Sequence, residues 1–239
     1  MCYNGFMKER KPIIGIVAKY IMHTDDRKNA LIRDEVRNAI IDNGGIAIAI
    51  LPTEFFAKFV ANDKLDWEDY LSESEKQDLI AQISLCDGIV LQGGQNSLKY
   101  ENWIAKYAYD NNIPTLGICA GQNTMVRALK GTTKLVPNPE KHNQKWVDEV
   151  HKIFVKKGTK FYNIVKCEEM FVNSRHKKTI DKLPENFIVS AVCDDSYYDV
   201  IEDPNKKFYL AVRFHPESLY KTHKEHKAIF EAFVDACKK

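Results

Sequence analysis

The sequence lacks any apolar stretch near the roughly 20 residues a membrane helix needs; its longest runs lie near Ile13–Ala18 and Ile46–Leu51. It has no C-x-x-C pair, and its six cysteines show no pairing pattern. A disulfide scaffold and a zinc site of that type are therefore not expected. Net charge is also scarce. Lys+Arg 35 and Asp+Glu 33 leave a formal +2 over 239 residues, which gives no nucleic-acid footprint and no charge-driven disorder. No Pro- or Ser-rich linker, internal repeat or low-complexity tract interrupts the chain. Met1 to Pro12 carries Lys8, Glu9, Arg10 and Lys11 without an apolar h-region, so no signal peptide is expected. What is present is 44% hydrophobic and 11% aromatic residues, enough for a sizeable core. The expectation is one soluble, reduced, cytoplasmic domain over residues 1–239, with no membrane or nucleic-acid partner.

The apolar pattern alternates between two kinds of segment. Pro12–Ala18 is continuously apolar, as strands covered on both faces are. A helix is predicted over Ala30–Asn43, with Ile32, Val36, Ala39 and Ile40 on one stripe and Gly44-Gly45 as its stop. A strand at Ile46–Leu51 follows. Ser72 to Glu75 reads as a capping box ahead of Leu79, Ile80 and Ile83. Next come a strand at Gly88–Gln92, a helix through Trp103, Ile104, Tyr107 and Ala108, a strand at Pro114–Ile118, and a helix through Met125, Val126 and Leu129. Strands alternating with helices predict an α/β, doubly wound parallel sheet with helices on both faces. After Gly131 the rhythm changes. Short strands are predicted at Val150–Val155, Met170–Val172, Phe187–Ala191, Tyr197–Glu202 and Phe208–Phe214, as an antiparallel insert without a strong helix. A helix through Ile229, Phe230, Phe233 and Val234 closes the chain.

Three segments carry candidate chemistry. In Thr115–Gly121, Cys119 sits where an apolar strand turns into a helix, flanked by Gly117 and Gly121. This is the nucleophile-elbow pattern with Cys in place of Ser. A helix N-terminus favours thiolate over thiol, and the Ala120 N–H would face a developing oxyanion. Taken alone, the pattern fits a buried structural cysteine as well. His215, in Arg213-Phe-His-Pro-Glu217, stands at a strand end as the candidate base, with Glu217 placed to orient its imidazole; a solvated turn would read the same way. In Leu91-Gln-Gly-Gly-Gln95, a glycine pair at the carboxyl end of a parallel strand lets backbone N–H groups approach a ligand, and Gly94 is the second candidate oxyanion donor.

Together the G-I-C-x-G elbow, the later H-P-E and the L-x-G-G loop resemble the class I glutamine amidotransferases. The closer likeness is to their stand-alone, peptidase C26-type branch, the γ-glutamyl-γ-aminobutyrate hydrolase-like proteins, and it runs from Ile13 to about Lys227. Phe171-Val-Asn-Ser-Arg-His176 resembles that branch's V-N-S-x-H segment. The resemblance implies a flavodoxin-like sheet and a Cys119, His215 and Glu217 triad. It also implies an oxyanion and substrate site from Gly93, Gly94, Ala120, Gln122 and Asn123, and a glutamyl-binding surface near Asn173, Ser174 and His176. The implied substrate is a γ-glutamyl amine, cleaved through a γ-glutamyl thioester with no metal or organic cofactor. A glutaminase subunit that feeds ammonia to a separate synthetase is the second reading, and a catalytically inactive binding protein the third. A homodimer is left open.

Several positions depart from the branch. Ala120 stands in place of Arg, Asn123 of Gln, Gln92 of Pro, Asn96 of Asp and Arg213 of Gln; Lys177-Lys178 follows His176 where His-Gln is usual, and Lys130–Pro137 lacks the L-x-Q-D ending. The added charge of Lys177, Lys178 and Arg213 would suit an anionic amine, and side chains that simply point to solvent would read the same way. Cys193 is read as a small core residue, while Asp194, Asp195 and Asp199 fit equally a border of the pocket and a loop–strand boundary. His142 and His151 show no ligand spacing, and His223 and His226 are read as a solvated helix face.

Overall fold

The computed structural model describes residues 10–22, 28–53, 71–94 and 98–239. Gln95 and Asn96 of the glycine-pair loop lie outside the described residues. The chain opens with β1 (Ile13–Val17), the hairpin strands β2 (Lys19–Met22) and β3 (Lys28–Leu31), helix α1 (Asp34–Asp42) and β4 (Ile46–Ile50). Helix α2 (Glu73–Ser84), β5 (Gly88–Leu91), α3 (Lys99–Asp110), β6 (Thr115–Ile118) and α4 (Ala120–Ala128) complete the alternating half. The second half holds β7 (Thr132–Leu135), the short helix α5 (Pro139–His142), β8 (His151–Val155), α6 (Lys160–Val165), β9 (Glu169–Val172), β10 (Lys178–Lys182), β11 (Ile188–Cys193), β12 (Tyr198–Glu202), β13 (Tyr209–Val212) and α7 (Lys224–Ala236).

A nine-stranded sheet in the order β4-β1-β5-β6-β13-β12-β11-β8-β9 runs through the molecule. Strands β4, β1, β5, β6 and β13 are parallel neighbours. From β13 onward each pairing is antiparallel, so β11 and β9 again point with the parallel set. The predicted insert is thus an extension of the main sheet, and its last strand β13 returns to pair with β6. Chain order leaves β1 for β4 on one side and for β5 on the other, a switch in winding direction of the kind that opens a crevice at the carboxyl edge.

Side chains alternate across this sheet into two cores. Leu116, Ile118, Leu210 and Val212 face Val36, Ile40, Phe161, Phe230 and Phe233 of α1, α6 and α7. Tyr209 and Ala211 face Leu79, Ile104, Met125 and Val126 of α2, α3 and α4. Both faces are therefore covered, which is why β5, β6 and β13 are buried at every position. Edge strand β4 is half exposed despite its apolar sequence, because among the described residues it has a neighbouring strand on one side alone.

The Ser72–Glu75 capping box forms as expected at the start of α2, and Gly44 takes a left-handed φ of 91° just beyond α1. Other expectations are corrected. Ala30 and Leu31 belong to β3 and not to a helix, since pairing with β2 overrides their helical spacing. The 132–182 region holds α6 and the β7–β10 pair as well as strands; elements this short carry too little periodicity to stand out. His226 is buried under Phe214, with its Nε2 3.2 Å from the Phe171 carbonyl, so it belongs to the core and not to a solvated face. No helix among the described residues is long and apolar enough to cross a membrane.

Candidate active site

Three adjacent parallel strands bring the predicted residues to one edge. Gly93 and Gly94 follow β5, Cys119 follows β6, and His215 lies three residues beyond β13. Because these strands share a direction, their carboxyl ends open on the same side of the sheet.

Cys119 caps α4 with φ 51° and ψ −102°. A β-carbon-bearing residue held there stores about 1–3 kcal/mol of strain. The strain sits on the cysteine itself and not on the flanking glycines, neither of which has a positive φ. Gly121 serves another purpose: a side chain there would collide with the Leu91 carbonyl, so its absence lets α4 approach β5 and hold the elbow up. Gly93 is constrained in the same way, since an added Cβ would lie 2.8 Å from His215 Cε1 and 3.5 Å from Cys119 Cβ. Gly94 is half-buried and packs against the Lys19 side chain.

His215 is buried, and its Nδ1 lies 2.6 Å from Glu217 Oε1. Pro216 starts a 3-10 turn, Pro216–Ser218, that swings Glu217 back onto the ring. The remaining ring nitrogen is left for Cys119, with which His215 shares a hydrogen bond. Burial opposes the Cys119 thiolate, but the His215 charge and hydrogen bond, followed by the Arg213 charge, outweigh it and lower the thiol. Burial likewise opposes the imidazolium, yet the charges of Glu217 and Cys119 raise His215 to about 10. Glu217 is lowered, because the His215 charge and hydrogen bond exceed its burial penalty. The site therefore favours a thiolate–imidazolium pair backed by a carboxylate.

Two departures noted separately in the sequence meet in space. Arg213 Nη1 donates to Asn123 Oδ1 at 2.9 Å and approaches the Cys119 carbonyl at 3.4 Å. Arg213 is fully buried, and burial brings its guanidinium down to about 10. Of the added charges, Lys177 is exposed, whereas Arg213 does not point to solvent but lies buried behind Cys119. A third departure, Gln92, is also explained. Its amide donates to the Val17 and Leu31 carbonyls and its oxygen accepts from the Arg33 N–H, tying the β5 loop to β1 and to the start of α1. A proline there could form none of these bonds.

The remaining expected site residues are engaged within the protein. Asn173 grips the His215 backbone from both sides, accepting from its N–H at 2.7 Å and donating to its carbonyl at 2.9 Å. Ser174 Oγ donates to the His142 carbonyl, and His176 Nδ1 faces the Lys178 carbonyl. Gln122 Nε2 reaches the Tyr198 and Asp199 carbonyls at 3.3 Å. Asn173 thus holds the backbone of His215, and Ser174, His176 and Gln122 have partners within the protein that fix the frame around it.

Comparison with known proteins adds the following. The family model described as Peptidase C26 matches residues 98–217, half of the chain. CTP synthase of Chlamydia trachomatis is 29% identical over 97% of this chain and 44% of its own length. CTP synthase of Sulfolobus acidocaldarius is 28% identical over 67% of this chain and 36% of its own. The chain thus spans less than half the length of these curated relatives. Among solved structures, a GMP synthase subunit from Thermoplasma acidophilum superposes with a TM-score of 0.65 at 17% identity, covering 95% of both chains. The glutaminase domain of Trypanosoma brucei CTPS, with bound acivicin, gives 0.65 at 19% identity over 95% of this chain and 93% of that one.

Proposed function

Since the chain belongs to the peptidase C26 family of class I glutamine amidotransferases, we propose that it hydrolyses the γ-glutamyl amide bond of a γ-glutamyl amine, with Cys119 as nucleophile. The observation that carries this reading is the strained Cys119 elbow facing a His215 whose other nitrogen is held by Glu217.

The Cys119 thiolate adds to the side-chain amide carbon. Oxygen gathers negative charge, and the N–H groups of Ala120 and Gly94 receive it, each donor contributing about 3–4 kcal/mol. Ala120 suits the task because the first N–H groups of a helix have no intrahelical acceptor. The C–N bond breaks as the His215 imidazolium gives its proton to the departing amine. Neutral His215 then takes a proton from water, whose oxygen attacks the thioester. The C–S bond breaks, glutamate leaves, and the thiolate–imidazolium pair is restored. Glu217 keeps the ring in the productive tautomer throughout, and Asn173 keeps the backbone of His215 in place.

A second reading, a glutaminase that supplies ammonia to a separate synthetase, is favoured by the likeness to proteins named CTP synthase along nearly the whole chain. Glutamate release from glutamine and from a panel of neutral and acidic γ-glutamyl amines separates the two. Turnover of a γ-glutamyl amine by the chain alone, lost in Cys119→Ala, supports the hydrolase. Turnover confined to glutamine and raised by a synthetase supports the second reading. No glutamate from any substrate, together with an unreactive Cys119, would sink both and leave a binding protein.

A further inference from the structure

A second cluster of reactive side chains lies in the antiparallel half of the sheet, outside the Cys119 site. His151 opens β8, Cys193 ends β11 and Asp199 lies in β12. Strand pairing sets Ile153 opposite Cys193 and Val192 opposite Tyr198, so residues 42 and 48 positions apart in sequence converge. The His151 nitrogen, the Cys193 sulfur and an Asp199 oxygen all lie within 4.8 Å of one another.

Two features distinguish this cluster from ordinary core packing. First, Asp199 is almost wholly buried, yet among the described residues its carboxylate has no close nitrogen or oxygen donor: its neighbours are the Cys193 sulfur and His151 Nε2, 3.5 Å away, and neither His151 nitrogen has a well-formed bond there. Leaving a buried carboxylate short of partners is costly. Second, His151 and Cys193 line a cavity of about 240 Å³ together with His142, Asp194 and Asp195. A cation therefore has a path to the cluster and room for a water on its open side. The donors are one imidazole nitrogen, one cysteine sulfur and one carboxylate oxygen. That mixture suits a borderline-soft divalent ion of the zinc type and not calcium or magnesium, which prefer oxygen alone.

We propose that His151, Cys193 and Asp199 form a binding site for a divalent transition-metal ion of the zinc class, with the fourth position open to the cavity. Binding replaces the Cys193 thiol proton by a metal–sulfur bond, and that proton leaves to solvent. The site does not rest on the hydrolase reading. It is nonetheless coupled to that region by the backbone, because the Asp199 carbonyl accepts from the Arg213 N–H at 2.7 Å and from Gln122 Nε2. A metal there would tie β12 to β8 and β11, and β12 in turn pairs with β13.

The test is titration of the metal-free, reduced chain with Co²⁺, followed by displacement with Zn²⁺. The expected result is one equivalent of Co²⁺ that gives a thiolate-to-cobalt charge-transfer band and releases a proton. The band should be unchanged in Cys119→Ala, absent in Cys193→Ser and removed by Zn²⁺. Zn²⁺ should also raise the Tm of the wild type and of Cys119→Ala. Absence of the band in the wild type overturns the proposal, as does a band that survives Cys193→Ser or vanishes in Cys119→Ala. If Cys193→Ser does not fold, His151→Gln takes its place, and an undiminished band in that variant overturns the proposal equally.

Discussion

The chemistry of the site turns on a few charges held at close range. Cys119→Ala should abolish turnover while leaving the far-ultraviolet spectrum unchanged, because the small side chain fits the same elbow. Glu217→Gln removes the carboxylate that raises His215 to about 10, so kcat should fall by roughly 10³–10⁴-fold, as when the orienting acid of such a triad is neutralised. Arg213→Gln tests the buried guanidinium. Its charge helps lower the Cys119 thiol below its ordinary value, so its loss should move the acid limb of Cys119 alkylation to higher pH. An unmoved limb would deny Arg213 any part in thiolate stabilisation. The same shifts have consequences for stability. Glu217, lowered on folding, stabilises above its unfolded value and loses that contribution as pH falls through its folded one. His215, raised on folding, stabilises fully below 6.5 and loses its contribution as pH rises through about 10.

The elements place these charges by close packing at the carboxyl edge. Helix α4 can hold Cys119 upright because Gly121 leaves room for the Leu91 carbonyl. Gly121→Ala should force α4 away from β5, destabilise the fold by about 1–3 kcal/mol in urea unfolding, and depress kcat more than KM. Gln92 does comparable work from the neighbouring strand. Gln92→Ala leaves the Val17 and Leu31 carbonyls and the Arg33 N–H without that partner. A loss of about 2–4 kcal/mol is expected from the known cost of buried unpaired groups, and an unchanged urea midpoint would show that water replaces the amide. The slack introduced beside Gly93 should also lower kcat, since Gly93 lies against the His215 ring.

Across the whole molecule, the parallel half supplies the proposed nucleophile and oxyanion loop, while the antiparallel half returns β13 with the proposed base. Neither half contains the full triad, so catalysis and the integrity of the nine-stranded sheet are linked. Thermal inactivation of glutamate release should therefore coincide with loss of the far-ultraviolet signal; activity lost well before the fold would point to a loosely attached edge. The chain spans less than half the length of its CTP synthase relatives, which lends the ammonia-supplying reading its test: a stimulated glutaminase rate with a synthetase present, set against partner-independent turnover of γ-glutamyl amines.

Much of this was legible in one dimension. Continuous apolar runs determined the buried strands, helical spacing determined α2, α3, α4 and α7, and the short motifs around Cys119, His215 and Glu217 are local in sequence because a turn and its reactive side chain are made by neighbouring residues. Other features have no local signature. The meeting of Arg213 with Asn123, the grip of Asn173 on His215 and the convergence of His151, Cys193 and Asp199 depend on strand register and on which strands become neighbours. Those are set by long-range pairing and by the burial of both sheet faces, which no window of sequence contains. The sequence by itself determined which groups can react, and only the tertiary structure decided which of them share a low-dielectric space close enough to change one another's charge.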